Sequence, residues 1–175
     1  MNIKDNFSIF RMIEFPHVLT LLNLTSGIIS ALFAVAGQYR LACIFMIVAV
    51  FFDFIDGKMA RSMKKVTALG RELDSLCDIV SFGVAPVILA YQTTKNIGEG
   101  WIFAAIIYIV FLAAGALRLA RYNLKDIPHY EGMPITVNGL VVPIFYFAGL
   151  TSWYPFIFLV SAVFMLSAFR IKKFI

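Results

Sequence analysis

Apolar residues in this chain are gathered into long blocks rather than scattered along one face of each element. Six blocks run over about 18–36, 41–55, 75–91, 101–120, 137–150 and 155–169, separated by short connections rich in glycine, proline or charge. Blocks of roughly 15 to 20 residues approach the length a helix needs to cross a bilayer. In lipid a backbone must bond to itself, and a helix does so within one segment. The pattern therefore predicts an all-α integral membrane protein with six transmembrane helices over 16–175. Ahead of them Phe7, Phe10 and Ile13 recur at three-residue intervals, with Arg11 and Glu14 among them. That spacing predicts a short amphipathic helix on the membrane surface within 1–15, ended by Pro16.

Composition strengthens this picture: 61% of the residues are hydrophobic and 14% charged, more apolar surface than a soluble fold of 175 residues can hide. The net charge of +5 does not point to nucleic acid, because the basic residues form no patch outside the connections between blocks. Of the 15 lysines and arginines, all but Arg40 and Lys95 fall on one side of the predicted membrane. This bias predicts a multi-pass protein of the cell membrane with both termini and the two long connections in the cytosol. The first block ends in Ala34-Val35-Ala36, a small-x-small pattern, but it is too long for a signal peptide and follows a segment holding Asp5 and Glu14. Cys43 and Cys77 are expected near opposite membrane faces, where no disulfide joins them. Ser26, Ser30 and Ala34 recur every four positions and permit close helix contact, within one protomer or between two.

The stretch beginning at Asp53 reads DFIDGKMARSMKKVTALGRELDSLCDIV. It carries four aspartates at the predicted cytosolic ends of the second and third helices. Asp53, Asp56, Gly57 and Ala60 share one helical face, and Asp74 and Asp78, four apart, share another. A charged aspartate near the bilayer centre costs about 2.5 to 3.5 kcal/mol on insertion scales, so four together need water or cations. Their hard oxygen donors suit magnesium, manganese or calcium rather than zinc. Such ions neutralise and orient a pyrophosphate, while one carboxylate can remain free as a base. Gly57 and Ala60 leave a hollow where a flat nucleotide can approach the backbone, and Arg61 beyond it offers a bidentate phosphate donor. Lys64 and Lys65 are assigned to membrane topology.

The spacing D-x2-D-G-x2-A-R-x8-G-x3-D-x3-D resembles the CDP-alcohol phosphatidyltransferase family at every fixed position: Asp53, Asp56, Gly57, Ala60, Arg61, Gly70, Asp74 and Asp78. The resemblance implies a homodimer with a cytosol-facing cavity, two divalent metal ions, and a CDP-linked lipid substrate such as CDP-diacylglycerol. It implies that Asp53, Asp56, Asp74 and Asp78 are metal ligands, and that Asp78 is also the base for the acceptor hydroxyl. It further implies that Gly57, Ala60, Arg61 and Thr67 contact the cytidine and diphosphate. Pro16 to Thr20, followed by Asn23, is similar to the start of the family's first helix, so Thr20 and Asn23 are expected near the nucleotide. Proline and threonine also mark helix starts in general.

Ser81 to Pro86, Arg118-x-x-Arg121-Tyr122-Asn123 and Gly132-Met133-Pro134 resemble the phosphatidylserine synthase branch of that family. L-Serine carries a carboxylate, and Arg118 and Arg121, one turn apart, can clamp it. Positive-inside anchoring or a lipid phosphate contact is the other role open to them. The acceptor expected is serine, with glycerol 3-phosphate or inositol phosphate as alternatives within the class. A divalent-cation transporter is the alternative outside it, disfavoured because all four aspartates cluster at one level.

Overall fold

The computed structural model describes residues 15–62, 67–95, 101–124, 130–167 and 170–171. The surface helix expected before Pro16 lies outside them, apart from Phe15. Helix α1 spans Phe15–Val35, with Pro16 in its first turn, where its missing N–H costs nothing. Gly37, at φ +75°, turns the chain into α2, Tyr39–Ser62. Helix α3, Ala68–Asp78, runs through a wide π-helical turn, Ile79–Val84, into α4, Ala85–Thr94. Helix α5 covers Trp101–Leu124. A 3-10 turn, Ile135–Val137, leads into α6, Asn138–Phe147, and a second, Thr151–Trp153, into α7, Tyr154–Leu166. Strands β1, Tyr130–Glu131, and β2, Arg170–Ile171, form a two-residue antiparallel ladder.

Each of the six expected blocks falls on helix, but the number of crossings does not follow from helix length. Among the described residues three stretches are long and apolar enough to cross a membrane: Phe15–Val35, Ala68–Thr94 and Trp101–Asn123. Helix α2 is 24 residues long but carries Asp53, Asp56, Lys58 and Arg61 in its second half. The apolar stretches Ile135–Phe147 and Thr151–Leu166 are shorter than the other spans. At 1.5 Å per residue they reach only about 20 to 24 Å, against a hydrocarbon core of about 30 Å. Helix boundaries also move. The second helix continues to Ser62 and the third begins at Ala68, so Asp53, Asp56 and Asp74 stand inside helices, and Asp78 stands where α3 passes into the wide turn.

Apolar side chains face both ways. Met46, Phe82, Leu89, Phe111, Tyr154 and Phe158 are fully buried, while Leu32, Phe54, Phe103, Ile109 and Val163 project outward, Phe103 being 70% exposed. An outer surface of that kind is solvated by lipid. The small-residue stripe works within the chain. Ser26, Ser30 and Ala34 are buried, and the Ser30 hydroxyl donates to the Ala42 carbonyl at 2.7 Å across the α1–α2 hairpin. Cys43 and Cys77 are buried free thiols.

Candidate active site

Helices α2 and α3 bring the acidic residues together. One oxygen from each of Asp53, Asp56 and Asp74 lies within 4.8 Å of the others. At an effective dielectric of about 20, each such pair of like charges repels by on the order of 3 kcal/mol. Asp56 is 5% exposed, and its Oδ2 has no hydrogen-bond partner. Asp78 stands outside that triple, beside Asp53, and is itself buried. Its Oδ1 accepts a hydrogen bond from Nδ2 of Asn23 at 3.3 Å.

The walls around the cluster come from four elements. From α1, the Thr20 hydroxyl donates to the Pro16 carbonyl at 3.1 Å and sits beside the Asp56 carboxyl. Asn23 is fully buried, and its Oδ1 is unpartnered. From the 3-10 turn before α6, the Thr136 hydroxyl faces Asp53. Thr67 caps α3: its Oγ1 accepts from the Gly70 amide at 3.0 Å and lies 3.4 Å from Nε2 of His17. A Cβ at Gly70 would stand 3.0 Å from that same ring nitrogen, so this glycine gives His17 room beside the cap. Gly57 and Ala60 are half-buried on the acidic face of α2. The hollow at Gly57 is overhung by Arg61, whose Nη1 lies 3.5 Å from where a Cβ would be. That guanidinium is exposed, and its positive charge acts on Asp53 and Asp56.

Behind Asp78 the chain packs without slack. A Cβ at Gly27 would fall 2.6 Å from the Ser81 backbone, and the Ser81 hydroxyl donates to the Asn23 carbonyl at 3.1 Å. Ser81 belongs to the wide turn, a geometry that recurs at functional sites because it lets a helix accommodate an extra residue locally. Arg118 and Arg121 lie on α5, Arg118 buried and Arg121 half-buried with Nη2 donating to the Met165 carbonyl at 3.4 Å. Asn123, two residues beyond Arg121, ties this end of α5 to α3 through Ser75 at 3.1 Å and Glu72 at 3.2 Å.

A family model described as CDP-alcohol phosphatidyltransferase matches residues 13–169, nearly the whole chain and every element around the acidic cluster. The chain belongs to this family. Among curated relatives, the archaetidylserine synthase of Methanothermobacter thermautotrophicus is 35% identical over 155 residues, covering 86% of this chain and 65% of that protein. A CDP-diacylglycerol–serine O-phosphatidyltransferase of Methanocaldococcus jannaschii is 35% identical over 136 residues, 78% of this chain and 62% of that one. Its counterpart in Bacillus subtilis is 36% identical over 138 residues, 75% of each chain. The chain thus spans somewhat under two thirds of the length of the first two relatives.

Family membership and the donor set agree on a divalent metal. The clustered carboxylates supply hard oxygens, and the unpartnered Asp56 Oδ2 is an acceptor that a cation would satisfy. Asn123, His17 and Thr136 take part in or brace the site without having been singled out for it in the sequence. Asn123 and His17 stood inside stretches that drew notice, but their contacts cross 48 and 50 residues of chain, a separation that no local pattern encodes.

Proposed function

We propose that this chain transfers the phosphatidyl group of CDP-diacylglycerol, or of an ether-linked equivalent, to the hydroxyl of L-serine, giving the phosphatidylserine-type lipid and CMP. The observation that carries the proposal is the triple of carboxylates with a fourth, Asp78, beside Asp53 and bonded by Asn23. The activities for which the relatives are named support serine as the acceptor.

In this reading Asp53, Asp56 and Asp74, together with Asp78, hold two ions, magnesium, manganese or calcium. When bound, the ions neutralise the diphosphate and ease departure of the CMP phosphate. Arg61, reaching back over Gly57, binds the diphosphate, and the flat face at Gly57 and Ala60 admits the nucleotide. Thr20, Asn23 and Thr67 line its α1 side, although Thr67 already serves as a helix cap. Asp78 accepts the proton of the serine hydroxyl. The freed oxygen attacks the lipid-side phosphorus, a new P–O bond forms, and the bond to CMP breaks with its electrons on the departing phosphate. Asn23 steers this step by donating to one Asp78 oxygen and so orienting the carboxyl. Arg118 and Arg121 bind the serine carboxylate.

We further infer six membrane crossings, the two shorter ones completed by their flanking turns, with the site and both termini cytosolic, and a homodimer in the cell membrane. The decisive experiment is an acceptor panel: CMP release from CDP-diacylglycerol with purified protein and serine, glycerol 3-phosphate, inositol or inositol phosphate. Release with serine alone is expected. Release with a phosphorylated acceptor and none with serine overturns the acceptor assignment while keeping the chemistry.

A further inference from the structure

Three separate stretches of the chain meet at one side chain. Ile135, in the turn before α6, is fully buried and fills a socket left by Gly115, with Gly83 alongside. A Cβ on Gly115 of α5 would stand 2.6 Å from its Cδ1, and one on Gly83 of the wide turn 3.5 Å. Among the described glycines the positive φ values belong to Gly37, Gly132 and Gly149, so Gly115 is needed to make room for Ile135 and not for backbone freedom, while Gly83 is crowded chiefly by Leu112 and Ile79. The turn is fixed on both sides. The Met133 amide donates to the Phe164 carbonyl at 3.3 Å. Asn138, also fully buried, donates to the Ile135 carbonyl at 3.1 Å and accepts from the Ser161 hydroxyl at 2.8 Å.

This bracing sets the position of the next residue, Thr136, whose hydroxyl faces Asp53, and Asp53 in turn adjoins Asp78. On the other side of the socket, Gly115 and Arg118 are three residues apart and share a face of α5. Arg118 therefore lies on the face of α5 that borders the Ile135 socket, and Thr136 on the next position of the turn stands one carboxylate away from the proposed base. The nucleotide assignments, Thr20 at Asp56, Thr67 at His17 and Arg61 over Gly57, belong to α1, the start of α3 and α2 instead. A threonine hydroxyl that donates to a carboxylate keeps its lone pairs for a second partner. An amino acid acceptor brings an ammonium group that fits them.

We propose that Thr136 is an acceptor-positioning residue: held by the Ile135 socket, its hydroxyl donates to Asp53 and accepts a hydrogen bond from the ammonium group of the incoming amino alcohol. The proposal rests on serine transfer as the reaction. Thr136→Val keeps the branched shape and removes the hydroxyl, and Thr136→Ser keeps the hydroxyl. With full-length protein, CMP release should show a serine KM roughly 10-fold higher in Thr136→Val, the loss of one charge-assisted hydrogen bond. The KM for CDP-diacylglycerol should stay within about twofold, and Thr136→Ser should return the serine KM to near the parent value. A Thr136→Val enzyme with unchanged serine KM, or with both KM values raised together and no recovery in Thr136→Ser, overturns the proposal. Parent protein that releases CMP with another acceptor and not with serine overturns the serine assignment and this role with it. The two failures are thus told apart by the parent enzyme.

Discussion

Two interiors of this molecule are built in opposite ways. Near the Thr94 end of α4, the rings of Tyr108, Phe111, Tyr154 and Phe158 pack edge to face, with centroids 4.6 Å apart for Phe111 and Phe158 and 5.0 Å for Tyr108 and Phe158. Both phenols are satisfied: Tyr108 meets the Thr94 hydroxyl at 3.2 Å, and Tyr154 donates to the Val142 carbonyl at 3.0 Å. At the acidic cluster, like charges crowd together and Asn23 and Asp56 keep unpartnered oxygens. The aromatic interior lowers the energy of the fold. The acidic one raises it and is held by its surroundings until a charged ligand arrives, as expected where stability yields to function.

Substitutions on the two sides should therefore separate stability from rate. The largest effect is expected from Phe158→Ala, which empties the centre of the aromatic group and should destabilise the fold by about 3 to 5 kcal/mol. Unfolding in detergent would register this as a lowered midpoint, while turnover per folded molecule stays near the parent value. Asp78→Asn should do the reverse. Turnover falls at least about 100-fold, the usual span for losing a general base, with thermal stability and CDP-lipid binding retained. Near-normal turnover at saturating metal would remove Asp78 from that role.

A smaller and more selective effect is expected at α5. Replacing whichever of Arg118 and Arg121 holds the serine carboxylate with alanine should raise the serine KM by roughly 10- to 150-fold, from a contact of about 1.5 to 3 kcal/mol. Lysine there should recover only part of the loss, because it keeps the charge without the fork. A raised CDP-lipid KM with unchanged serine dependence in both alanine variants would assign these arginines to lipid phosphate. The mildest test leaves the chemistry alone. Asn2→Cys and Phe174→Cys should resist an impermeant label in intact cells while Gly98→Cys reacts, the native thiols Cys43 and Cys77 being buried. Labelling at the termini would put the acidic interior on the outer face.

The acidic face was legible in the sequence because Asp53 and Asp56, and Asp74 and Asp78, obey helical spacing, and their cost in a membrane makes them conspicuous. The apolar blocks revealed the helices for the same reason, as each is a local property of 15 or more residues. What escaped depends on distant segments meeting. Asn23 reaches Asp78 across 55 residues, and the Ile135 socket needs a glycine, Gly115, on another element. Helix ends were misplaced where charged residues continue a helix beyond its apolar part, as from Asp56 to Ser62. The apolar pattern reports where lipid ends, and the backbone carries on past it.

The wide turn after Asp78 bears on how the chain tolerates changes in length. Its last bond, from the Ala85 amide to the Val80 carbonyl, spans five residues where an ordinary helical turn spans four. One residue can therefore be removed between Ile79 and Val84 and the segment can close into a regular helix, with α3 and α4 keeping their angular phase. The aspartates would face as before, but the hydroxyl of Ser81 would lose its register with the Asn23 carbonyl. The helix carries a spare residue at a level where it grips its neighbour, so shortening it there would loosen that grip while leaving the span intact.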